Sequence, residues 1–234
     1  MEKNYWQLRK EVENHPGFLY RGSRHTHDNS LKIYGGNFRD ISGFIDLIEK
    51  PESYFKGGWH DKKRQGELFS ELHRFFHNYV AASESLVSHT RSYIKHHHDS
   101  DEIGKAYKEE IKNTFTEHAP TVVVKDFRNY FLHKGLPRSS IHTTLQLDGT
   151  PPTIHILFSV EELLEWKKWS SLSKKYLNDQ GENLRLRKLV VNYHNNVLNF
   201  YHWFDKVLEN WHQEEVSEME KLASKVITLE NENR

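Results

Sequence analysis

The sequence predicts a mainly α-helical bundle with one inserted β-hairpin. Two segments, about 66–97 and about 183–212, place apolar residues alternately four and three positions apart. That is the seam of a long helix packed at a shallow angle on its neighbours. Convincing period-two alternation occurs only over about 141–158. Glycine and proline number 12 and 6 in 234 residues, and several of them sit at helix boundaries rather than inside the periodic segments.

In chain order, residues 2–14 read as a short helix stopped by His15-Pro16-Gly17. Residues 18–37, rich in Gly, His and Asn, read as a loop, and Phe38 to Glu49 as a helix ended by Pro51. The first long helix carries its seam on Leu68, Leu72, Phe75, Tyr79, Ala82, Leu86, His89 and Tyr93 and fades at His96-His97-His98. Ser100 or Asp101 caps a helix over about 102–116. Pro120 opens another, with Val123, Val124, Phe127 and Phe131 facing inward. Gly135 and Pro137 end it. Residues 141–147 and 153–158 form the hairpin strands around Asp148-Gly149. Ser159 and Glu162 make a capping box that opens a helix through Trp169. The second long helix aligns Leu186, Val190, Tyr193, Val197, Phe200, Phe204, Val207 and Trp211. The pattern thins after Met219, and 230–234 is expected to fray.

No linker, low-complexity run or repeat divides residues 1–234, so one domain is expected, with 1–58 as an N-terminal appendage on it. Lys and Arg total 33, as do Asp and Glu. That balance excludes the wholesale basic surface of a nucleic-acid coat but leaves room for a local basic site. Without cysteine there is no disulfide framework, thiolate metal site or Cys nucleophile. The charged N-terminus lacks the core of a signal peptide, and no stretch reaches the ~20 apolar residues of a membrane helix. A soluble, cytoplasmic protein is therefore expected. Aromatics are 13% against a hydrophobic fraction of 36%, so rings supply much of the core.

Arg128-Asn129-Tyr130-Phe131-Leu132-His133 is the stretch that carries chemistry. Arg offers a planar fork of donors to a phosphate. His moves protons near neutral pH. On a helical wheel with Val124 at zero, Arg128 lies at about 40°, Asn129 at about 140° and His133 at about 180°, all off the centre of the core face. Leu132 falls on the same polar side, which suggests that this side meets something. A solvated Arg, and a His placed to suit the helix dipole, account for the same spacing without any chemistry.

This stretch resembles the motif of the HEPN superfamily, an Arg followed after four to six residues by a His, with a polar residue such as Asn129 directly after the Arg. The order of elements over about 66–210 is similar as well: a long helix, a second helix, then the motif helix. Residues Phe76-His77-Asn78-Tyr79 through Ser88-His89-Thr90-Arg91 look like the long helix of bacterial HEPN-like proteins. The hairpin departs from the general pattern and implies a divergent subgroup. The resemblance implies RNA cleavage without a metal or other cofactor, in a homodimer that brings both motifs to one cleft. It also implies a defence or toxin–antitoxin setting with an antitoxin or other partner protein. His133 would be the general acid/base, Arg128 the phosphate clamp, and Asn129 would orient one of them. Asn78, His89, Arg91 and Lys134 are the candidate substrate-binding residues. The alternative is a non-catalytic helical interaction module of the same fold.

Other clusters read more plainly. His73 and His77 have metal-ligand spacing but fall on the outer face. His96-His97-His98 with Asp99 and Asp101 reads as a polar helix end, and His25 to Asp28 as a loop. Trp166 and Trp169 read as core.

Overall fold

The structure, a computed structural model, describes residues 4–59 and 61–232. Its elements run α1 Tyr5–Glu13, α2 Pro16–Glu49, α3 Pro51–Lys56, α4 Lys62–His97 and α5 Glu102–Ile111, continued by one π-helical turn Lys112–Thr116. They continue with α6 Ala119–His133, β1 Ser139–Thr144, β2 Thr153–Ser159, α7 Val160–Glu165, α8 Ser171–Asp179, β3 Asn183–Arg185 and α9 Leu186–Glu232. The mainly α bundle with a small β insertion is as expected. No helix among the described residues is long and apolar enough to cross a membrane.

Three long helices, not two, make the frame. Residues 18–37 lie inside α2, which buries His27, Ser30, Tyr34, Ile41, Ile45 and Ile48. Those positions keep helical spacing, but the first three are polar or amphipathic, so a search for apolar periodicity passes over them. Packing outweighs the weak helix propensity of Gly, His and Asn. Each of two buried polar groups in this stretch finds a partner. Ser30 Oγ donates to the Thr26 carbonyl at 3.1 Å and lies 2.7 Å from His89 Nδ1. The Tyr34 hydroxyl is 3.1 Å from that of Tyr79 and 3.1 Å from His194 Nδ1. α2 is thus a wall of the core rather than part of an appendage over 1–58: Tyr34 and Ile41 belong to the same cluster as Phe76 of α4 and Phe204 of α9.

The seam of α4 also differs from expectation. It runs through Leu72, Phe76, Tyr79, Ser83, Leu86, Thr90 and Tyr93, still alternating four and three. Phe75 and His89 lie one residue off it, and His89 is exposed, whereas Ala82, beside Ser83, is buried as expected. Ser83 and Thr90 can be buried because their hydroxyls donate to carbonyls one turn back, Tyr79 at 2.8 Å and Leu86 at 2.9 Å.

The hairpin extends into a three-stranded antiparallel sheet, β1-β2-β3, because residues 183–185 pair with β2 before α9 begins. In β1–β2 the register runs from Ser139 opposite Phe158 to Thr144 opposite Thr153. Ile154, Ile156 and Phe158 alternate along β2 and are buried. β3 is too short to pair all of β2. The Ile156 amide instead donates to Glu49 Oε1 of α2 at 3.1 Å, and Arg187 binds the other oxygen of that carboxylate.

The helix expected through Trp169 stops at Glu165. Trp166 and Trp169 are buried, and the Trp169 indole donates to the Leu163 carbonyl at 2.6 Å. At the other end of the chain, α9 continues to Glu232 and buries Met219, so the expected fraying over 230–234 does not begin at 230. Residues 233 and 234 lie outside the described ones.

Two core histidines make stability depend on pH. His194 stacks on Phe38, and burial pushes its pKa down to about 4. His27 is buried among Tyr93, Tyr201 and Phe204, and burial, then the Arg24 charge, lowers its pKa too. A histidine with a depressed folded pKa binds fewer protons folded than unfolded. Stability therefore falls as pH drops below the ordinary value of 6.5, and for His194 the loss levels off below about 4. Urea midpoints at pH 7.5, 6 and 5 should decline in that order, and His194→Asn should flatten the decline. A midpoint independent of pH over this range would contradict neutral burial of these rings.

Candidate functional site

α6 is the element on which the sequence places its chemistry. Pro120 lies in its first turn, where the missing N–H costs nothing. Lys134 is its C-cap, and Gly135 follows at φ +118°, a conformation that side chains with a Cβ rarely adopt. Val123, Val124, Phe127 and Tyr130 are buried, as the wheel requires. Asp126 is buried too. Its carboxylate accepts from the Ser170 amide at 3.0 Å and the Ser173 hydroxyl at 2.7 Å, which pins α6 to the start of α8.

The other side of α6 is open. Arg128, Asn129 and His133 are exposed. Among the described residues their side chains make no hydrogen bond or ion pair with another side chain or the backbone. Leu132, 63% exposed, lies between them, and Leu136 is 53% exposed just beyond the helix. Arg128 and His133, five steps apart on a regular helix, diverge by about 140° around the axis. One copy of α6 therefore does not aim both groups at a single phosphate.

Arg128 opens onto a cavity of about 400 Å³ between α4, α5, α6 and α9. Arg91 of α4 and Lys125 of α6 line it as well. Arg91 is hydrogen-bonded to Tyr107, where its charge opposes the upward pull of burial on the Tyr107 pKa. Tyr107, Phe115 and Phe200 form aromatic wall. Asn129 and His133 do not line this cavity.

The remaining candidates separate in space. Asn78 is exposed on α4 and does not line the cavity. His89 bonds to Ser30 across α2 and α4 and does not line it either. Lys134 pairs with Glu165 at 3.2 Å, with both side chains well exposed, so the pair adds little stability. Of the four candidate substrate-binding residues, the cavity takes only Arg91.

The histidine clusters hold structure together. His73 Nε2 is 2.8 Å from the Ser139 hydroxyl, joining α4 to β1. Burial lowers its pKa, while a backbone hydrogen bond to Pro137 raises it. His77 packs its ring near Phe131. His98 is buried, and its Nδ1 lies 2.7 Å from Asp101, whose other oxygen caps α5 by accepting from the Gly104 amide at 3.0 Å. His27 is a core residue of α2, not a loop residue. Among the described residues no group of three or more His, Asp or Glu side chains is arranged to hold a metal ion.

Lys125 and the aromatic wall were not legible as a site. A usable signal was present in Tyr107, Ile111 and Phe115, which recur every four residues on one helical face. No protein-family model, curated protein or solved structure matches the chain.

Proposed function

We propose that the protein is a metal-independent endoribonuclease that works as a homodimer. The observation that carries this reading is the unpartnered set Arg128, Asn129 and His133 on the open side of α6, beside exposed Leu132 and Leu136. Buried polar groups that serve the fold are bonded within it, as Asp126 and Ser173 are, whereas this set is left facing outward and available to a ligand. The resemblance of the Arg-to-His stretch to the HEPN motif points the same way.

RNA supplies its own nucleophile, a 2′-OH beside each phosphate, already at high effective concentration. The protein has then to move protons and to neutralise charge. His133 takes the 2′-OH proton as general base, or donates one to the 5′-oxygen leaving group as general acid. Arg128 holds the phosphate oxygens and stabilises the charge of the five-coordinate state. Asn129 and His133 share a face one turn apart, so Asn129 can orient the imidazole. Arg128 and His133 diverge around α6, so the cleft pairs the Arg128 of one copy with the His133 of the other.

Purified protein should cut single-stranded RNA in the presence of EDTA and leave a 2′,3′-cyclic phosphate. Activity abolished by EDTA, or products with a 3′-hydroxyl, would refute the mechanism. A protein that cuts no RNA would favour a helical interaction module, which exposed Leu132 and Leu136 also suit.

A further inference from the structure

We propose that the cavity between α4, α5, α6 and α9 binds a small amphipathic carboxylate, an apolar body carrying one anionic head. This goes beyond the ribonuclease reading and shares only Arg128 with it, so the test rests on Arg91 and Lys125.

Three features converge. The cavity measures about 400 Å³, within the usual range of small-molecule sites of roughly 300–1,000 Å³. Its inner wall is apolar, with Val80, Leu86, Val197 and Phe200 among its residues. Such a wall favours a ligand body that needs no hydrogen bonds. Its charged lining comprises Arg91, Lys125 and Arg128 against Glu84 and Asp126. Asp126 is already bonded to Ser170 and Ser173, so three cations face one open carboxylate, Glu84.

That excess of positive charge selects an anion. A guanidinium fork from Arg91 or Arg128 matches the two oxygens of a carboxylate. Neutral apolar compounds would occupy the wall and leave the cations unpaired. Highly polar anions, such as inorganic phosphate, would pair with the cations and leave the apolar wall wet.

Calorimetric titration of the full chain with decanoate and with indole-3-acetate tests this. One ligand should bind per chain, and the tighter of the two reports whether the body is aliphatic or aromatic. Decanol should bind at least about tenfold more weakly than decanoate, because it forfeits the charge-assisted contacts. The double variant Arg91→Gln/Lys125→Gln should weaken decanoate by a similar factor and leave decanol unchanged. Val122→Trp, which fills the cavity, should weaken both. Should that variant fail to fold, the exposed Arg91 and Lys125 pair and the head-group comparison still decide. The proposal is overturned if neither carboxylate binds saturably, if decanol matches decanoate, or if the double variant binds decanoate unchanged.

Discussion

Arg128→Ala and His133→Ala should each cut RNA about 10²–10⁴-fold more slowly than wild type, and an equal mixture of the two should recover about a quarter of wild-type activity. The recovery follows from geometry. The groups diverge by about 140° on α6, so each cleft needs Arg128 from one copy and His133 from the other. Random pairing makes about half of the dimers mixed, and each mixed dimer has one intact cleft and one that lacks both groups. Neither substitution should alter stability by more than about 0.5 kcal/mol, because both side chains are exposed and make no bond among the described residues. Activity loss is therefore separable from misfolding by comparing urea midpoints. Two inactive variants whose mixture stays inactive would place the reaction within one chain. Retained cleavage in His133→Ala would remove the site altogether.

The candidate site was legible in the sequence only at the level of one helix. The boundaries of α6, its inward residues Val123, Val124 and Phe127, and the open side bearing Arg128, Asn129 and His133 all follow from spacing, Pro120 and Gly135. What lies opposite that helix was not legible. The cavity depends on how four helices meet, and periodicity carries no information about which faces leave a gap. The departures in α2 and in the α4 seam share one cause. In α2 and α4 the chain buries His27, Ser30, Ser83 and Thr90 on helical seams. Ser30, Ser83 and Thr90 are affordable in the core because each hydroxyl bonds a carbonyl one turn earlier. A hydrophobicity pattern treats such residues as solvent-facing. It therefore reads 18–37 as loop and shifts the α4 seam by one position at Phe75 and His89. The third strand was hidden differently: Asn183 to Arg185 is too short to show a period, and only its pairing to Leu157, Phe158 and Ser159 identifies it.

Phe76→Ala should be among the most damaging single changes to the fold, at about 3–5 kcal/mol. The ring is completely buried and joins three elements: its centroid lies 5.2 Å from that of Phe127, 5.4 Å from Phe131 and 5.6 Å from Phe158. Phe127 and Phe131 belong to α6 and Phe158 to β2, so one side chain of α4 fixes both the motif helix and the sheet. Removing it leaves a void that these rings cannot all fill at once, since each is held elsewhere. Phe127 also packs on Trp169, at 5.1 Å. A domain of ordinary stability, about 5–15 kcal/mol, loses a large share of it. Phe76→Leu keeps more of the volume and should lose clearly less. Urea denaturation reads both values, and a loss under 1 kcal/mol for Phe76→Ala would show that the site collapses freely. The same ring should also control the chemistry at a distance. If the void loosens α6, amide exchange should quicken along 123–131 in Phe76→Ala before it does in α9, and cleavage should fall even in conditions where the variant remains folded. Unchanged exchange in α6 would mean that Asp126, bound to Ser170 and Ser173, holds the motif helix without help from the aromatic cluster.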